Sequence, residues 1–220
     1  MSMRALFAEF IGTFALLFVI FLVANNTNGT PTQLLAIALA VGLTIVCMGT
    51  AFGPISGGHF NPCVTFAMVM AKQMDVARAL AYWVVQALGG IAAVFTGAFL
   101  LGEFGEAART ATSLSRGPGV EMVAALVAEA LAAFFFVTVI FLTAVDERAP
   151  KNGALYLGLA LTFGILAIGP ISGGGINPAV GLALSVGSGK WDNAVAWAVG
   201  PLIGAGLAAI GYKGIWSKAD

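Results

Sequence analysis

Apolar residues run along this chain in six long blocks, roughly 4–24, 34–52, 78–101, 120–143, 153–170 and 192–212, with short polar breaks between them. Each block is long enough to cross the ~30 Å hydrocarbon core of a bilayer as a helix. Two shorter blocks, 61–71 and 177–187, follow the second and the fifth. At 1.5 Å per residue each gives a helix of about 16 Å. Neither crosses a membrane alone; laid end to end, the two do. The order is therefore span, span, half, span, and then the same again.

The half-length blocks are introduced by a sentence of residues that the chain says twice. Gly53-Pro54-Ile55-Ser56-Gly57-Gly58-His59-Phe60-Asn61-Pro62 returns 116 positions later as Gly169-Pro170-Ile171-Ser172-Gly173-Gly174-Gly175-Ile176-Asn177-Pro178, with eight of ten positions identical. Each copy reads as a turn that starts a helix. Asn caps the orphan N–H groups of a first turn, Pro suits the first helical position, and the glycines upstream let the backbone fold back. Other landmarks recur: Glu9 and Glu129 lie in the first span of each half, and Trp83 with Gly90 matches Trp197 with Gly204 at a separation of 114. Three spans is an odd number, so the second half is inverted relative to the first. The repeats cover about 1–110 and 118–220 of one membrane domain, residues 1–220.

Composition agrees. The chain is 60% hydrophobic and 9% charged, with a mean hydropathy of +0.97, which marks a polytopic all-α membrane protein. Ten basic and ten acidic residues cancel, so nothing points to a nucleic-acid partner. The 29 glycines suit close helix packing in lipid, and Gly49/Gly53 and Gly200/Gly204 have the GxxxG spacing. Cys47 and Cys63 both sit in apolar segments and form no disulfide framework. The first block contains Glu9 and lacks a small-residue cleavage site, so it reads as a span rather than a signal peptide. An inside N-terminus puts Arg4, Lys72, Arg78, Arg148, Lys151, Lys213 and Lys218 in the cytoplasm and leaves Arg109, Arg116 and Lys190 outside. The excess of basic residues places both termini in the cytoplasm. Loops are short except for a polar external one at about 102–119.

Non-helical backbone at membrane depth is tolerated only inside protein or beside water. The carbonyls of Gly57 to Phe60 and of Gly173 to Ile176 would form ladders of acceptors, with the Asn61 and Asn177 amides as donors where they meet. That is a narrow pore for small hydrogen-bonding molecules. Each half-helix brings about half a positive charge to its N-terminus, so two such ends facing each other repel protons and metal cations.

The boxes Asn61-Pro62-Cys63 and Asn177-Pro178-Ala179, with Ser56-Gly57-Gly58-His59-Phe60 ahead of the first, resemble the major intrinsic protein (aquaporin) family over the whole chain. The resemblance implies a right-handed bundle of six spanning helices and two re-entrant half-helices, a pore in every subunit, and a homotetramer. Most members carry Arg directly after the second box; here the position is Val180. The other filter positions implied by the resemblance are Val41, Ile165 and Gly174. This set has neither aromatic nor charge, so the filter is expected to be wide and apolar. The substrates expected are water and small uncharged solutes: polyols and amides such as glycerol or urea, hydrogen peroxide, or neutral metalloid hydroxides such as arsenite.

Single residues leave alternatives open. Cys63 replaces the usual Ala beside the constriction and is either a pore thiol open to mercurials or a small buried hydrophobe. His59, the only histidine, is placed by the resemblance at the cytoplasmic vestibule, as a pH sensor or as a carrier of a pore-lining carbonyl. Glu9 and Glu129 are proton-coupling groups or, as their occurrence once per repeat favours, acceptors for the N–H groups of the re-entrant loops. Trp83 and Phe134-Phe135-Phe136 are expected to pack against helices or lipid. The function expected is a passive channel; a coupled secondary transporter and a poorly conducting structural membrane protein are the competing classes. No catalytic triad, phosphate loop, metal cluster or cofactor motif suggests an enzyme. Short loops and Ala/Gly-rich spans lean towards a bacterial inner membrane.

Overall fold

The computed structural model describes residues 2–217; Lys218, counted above among the cytoplasmic cations, lies outside them. Six helices are long and apolar enough to cross a membrane. In chain order the helices are α1 (Met3–Asn26), α2 (Gln33–Ser56), α3 (Pro62–Met70), α4 (Val76–Leu100), α5 (Gly105–Ala111), α6 (Met122–Ile140), α7 (Gly153–Ser172), α8 (Pro178–Ser188) and α9 (Ala194–Gly211). Helices α6 and α9 each continue through one wider turn, Phe141–Val145 and Tyr212–Trp216. Among the described residues there is no strand. The half-helices are α3 and α8. The short α5 falls within the segment read from sequence as a polar loop.

The expected spans and the observed helices differ by a few residues, and the difference has a cause. Helices α2 and α7 run on through Pro54 and Pro170 to Ser56 and Ser172. Pro removes one N–H and crowds the preceding turn, which is tolerable here because each helix stops two residues later. Both stop at a glycine in the left-handed conformation, Gly57 with φ 95° and Gly173 with φ 90°. The N–H of each closes the last turn on Gly53 O or Gly169 O, the usual role of glycine beyond a helix end.

Packing follows the repeat. Helix α1 packs on α2 and α4, and α6 packs on α7 and α9, while α2 crosses α7 between the halves. At that crossing a Cβ on Gly158 would collide with Gly42 O, so the two backbones meet directly, the approach that small residues permit in lipid. The half-helices exchange partners: α3 packs on α9 and α8 on α4. Gly200 and Gly204 lie against Leu126 O and Ala130 O of α6, whereas Gly53 has open space beside it. Of the two GxxxG pairs, the second therefore forms a tight helix contact and the first does not.

Candidate functional site

The site is built where α3 and α8 begin. Asn61 and Asn177 are extended N-caps, with φ −157° and −150°, and their Oδ1 atoms accept from Cys63 N and Ala179 N at 2.9 and 3.0 Å. Pro62 and Pro178 occupy the first helical positions, where a missing N–H costs nothing. The residues before the caps, Phe60 and Ile176, have φ of 48° and 50°, a conformation uncommon for non-glycine residues and strained for a β-branched one. Two buried carboxylates hold them there. Glu9 Oε1 accepts from Ser56 Oγ (2.6 Å) and His59 N (2.9 Å), and Oε2 from Phe60 N (2.7 Å) and Gln86 Nε2 (2.8 Å). Glu129 Oε1 accepts from Ser172 Oγ (2.7 Å) and Gly175 N (2.9 Å), and Oε2 from Ile176 N (2.6 Å). Both side chains are fully buried. A carboxylate offers four acceptor sites and no donor, which suits a loop whose N–H groups have turned away from helical partners.

The two loops are tied to each other. Asn61 Nδ2 donates to Ile176 O and Asn177 Nδ2 to Phe60 O, both at 3.0 Å. The last carbonyl of each ladder read from sequence thus commits one of its two lone pairs to this cross-link. Each amide keeps a second N–H, and Asn177 is also a wall of a cavity beside the boxes. Cys63 is fully buried, with Sγ 3.4 Å from Ile176 O.

A cavity lies on each side of the paired boxes, termed inner and outer by the orientation expected from the basic residues. The inner one, about 340 Å³, is bounded by Gly57, Gly58, His59, Val64, Met68 and Phe136 among others. His59 Nδ1 lies 3.0 Å from Thr65 Oγ1, and the ring meets Tyr82 edge-on at 5.4 Å. Phe136, assigned from sequence to packing, faces this cavity; Phe135 is exposed and Phe134 meets Trp216 at 6.3 Å. Trp83 donates to Pro62 O at 3.0 Å, so it braces the start of α3.

The outer cavity holds about 40 Å³ and brings together Val41, Ile165, Gly174 and Val180, with Asn177 at its floor. These are the four filter positions chosen from sequence. Leu114, from the segment between α5 and α6, is a further wall that sequence reasoning missed. The expectation of width counted four positions only. Leu114 adds a fifth apolar wall to those four.

Cations close the far ends of both half-helices. Arg109 Nη1 donates to Gly187 O of α8 at 2.9 Å, and Lys213 Nζ lies 3.5 Å from Met70 O of α3. Each offsets the negative end of a helix dipole while the positive ends face each other across the Asn pair. Among the described residues, no cluster of His, Cys, Asp or Glu is arranged to hold a metal.

The profile of the family described as "Major intrinsic protein" matches residues 1–212. Aquaporin TIP1-2 of Zea mays is 36% identical over 229 residues, covering 95% of this chain and 84% of its own. The lens fiber major intrinsic protein of Ovis aries is 37% identical over 214 residues, covering 95% and 80%. The X-ray structure of the aquaglyceroporin from Plasmodium falciparum superposes with a TM-score of 0.83 over 96% of each chain, at 24% identity, and so shares the fold.

Proposed function

Because the chain belongs to the major intrinsic protein family of multi-pass membrane channels, which are not enzymes, we propose that it passively conducts water and small uncharged solutes while excluding protons and metal cations. The observation that carries this reading is the cross-linked pair Asn61 and Asn177 between two cavities. Two helix N-termini, each worth about half a positive charge, converge there. A cation meets no carboxylate along the way, since none lines either cavity and Glu9 and Glu129 are turned to the loop N–H groups. A neutral molecule pays little. The solutes are of the glycerol, urea, hydrogen peroxide or neutral metalloid hydroxide class, capped in size by the outer cavity. Assembly as a homotetramer with both termini cytoplasmic completes the proposal.

Val180 supports an apolar filter. It is buried, faces the outer cavity, and places no donor or charge there. The test is stopped-flow light scattering on proteoliposomes, comparing the native protein with Val180→Arg for water, glycerol and urea. Passage of the larger solutes by the native protein and their suppression by Arg is the expected result. Passage of water alone by the native protein would refute the permissive filter. Permeability equal to that of empty vesicles for every solute would favour the structural class. Solute accumulation driven by a proton or sodium gradient would favour the transporter.

A further inference from the structure

The segment joining α5 to α6 crosses the outer mouth as a strap with three tethers. Thr112 Oγ1 accepts from Asn25 Nδ2 at 3.0 Å, the Gly117 N–H donates to Ile171 O at 3.0 Å, and Arg116 Nη1 donates to Asp192 O at 2.8 Å. Ser113 and Ser115 have their hydroxyls 3.0 Å apart on the exposed side. Leu114, between them, lies over the second re-entrant loop. A Cβ on Gly175 would come within 2.7 Å of its Cδ1, and one on Gly173 within 3.1 Å of its Cα. Leu114 thus reaches the outer cavity because the loop beneath it is glycine.

We propose that Leu114 completes an apolar ring with Val41, Ile165 and Val180, and that this ring limits water flux by withholding hydrogen-bond partners rather than by size. The inference rests on the channel reading above. A water in a cavity of about this size needs two to four polar partners, and none of the four side chains supplies one. The nearby backbone donors are already engaged: Gly174 N on Ser172 Oγ and Gly175 N on Glu129. What remains is the second amide N–H of Asn177 at the floor and loop carbonyls. Hydrophobic constrictions of this kind obstruct by dewetting.

The test separates polarity from volume. Leu114→Asn keeps a side chain of similar size and adds partners; Val180→Thr is isosteric and adds a hydroxyl from the opposite wall. Leu114→Ala enlarges the cavity and stays apolar. In proteoliposomes, Leu114→Asn and Val180→Thr are each expected to raise water permeability about fivefold, the factor that one net hydrogen bond supplies. Leu114→Ala should raise water less than Leu114→Asn. Ser113→Ala, on the same strap but facing outward, is expected to match the native protein. Equal gains in water from Leu114→Ala and Leu114→Asn would show a steric barrier and overturn the proposal, as would unchanged water flux in both polar variants. Native protein that leaves vesicles no more permeable to water or glycerol than protein-free ones would instead overturn the channel reading itself.

Discussion

Asn61 and Asn177 each donate a side-chain N–H to the carbonyl that precedes the other, at 3.0 Å in both directions. The same two side chains cap their own helices through Oδ1. One amide therefore does what a simple cap could not: it starts a helix and fixes that helix against its inverted partner.

Replacing either Asn by Ala removes a cap worth about 0.5–2 kcal/mol and leaves a buried carbonyl unpaired at about 1–3 kcal/mol. The sum predicts a destabilisation of a few kcal/mol for Asn61→Ala and for Asn177→Ala, read as a lower unfolding temperature in detergent. Because both residues serve one cross-link, the double variant should lose less than the sum of the singles. Strict additivity would show that the two contacts act independently.

Glu9 and Glu129 are expected to be structural. Glu129→Gln presents an NH2 where Gly175 N or Ile176 N now finds an acceptor, and Glu9→Gln does the same to His59 N or Phe60 N. Charge-assisted bonds of this kind are worth about 1.5–3 kcal/mol each, so both variants should give sharply lower yields of folded protein. A variant that folds normally but abolishes a pH-gradient-driven uptake would assign the carboxylate to proton coupling instead.

Thiol reagents distinguish the two readings of Cys63. Its sulfur is buried beside Ile176 O, while Cys47 is exposed on α2. Mercurials are expected to label Cys47 and leave permeability unchanged. Block that disappears in Cys63→Ala would place the thiol in the pathway.

Asp146 anchors the C-terminal end of α6 just beyond its wider last turn. Its carboxylate accepts from Arg148 Nε and Nη2, and the same Nη2 also donates to Trp216 O at 2.6 Å. The Arg148 guanidinium and N–H hold the Asp146 carboxyl down to about 2. A depressed folded-state value contributes stability above the unfolded value of about 3.9 and loses it as pH falls through the folded one. The tether should therefore be constant from pH 5 to 8 and fail only near the folded value, as monitored by Trp216 fluorescence. Arg148→Ala should release it at neutral pH; a fluorescence change centred near pH 6 would contradict the assignment.

Much of this architecture was legible because its signals are local. Six apolar blocks, the doubled Gly-Pro-Ile-Ser sentence and the Asn-Pro starts give element order, inversion and the meeting point without tertiary information. What was not legible is rotational. A helix apolar on every side shows no periodicity that separates lipid from core, so nothing in Phe134-Phe135-Phe136 marked Phe136 as the one facing the inner cavity. Leu114 was hidden for a different reason. Its position depends on contacts with Asn25, Ile171 and Asp192, and no local pattern in a polar loop records partners so far away in the chain.

The exchange of partners between the halves also constrains the order in which the molecule is made. Helix α3 leaves the ribosome long before α9, against which it packs, and Asn61 has no acceptor until Ile176 has been synthesised. The first re-entrant segment must wait, held at its loop by Glu9, while more than half of the chain is still unmade. The link between the two boxes thus cannot close before Ile176 and Asn177 have been made.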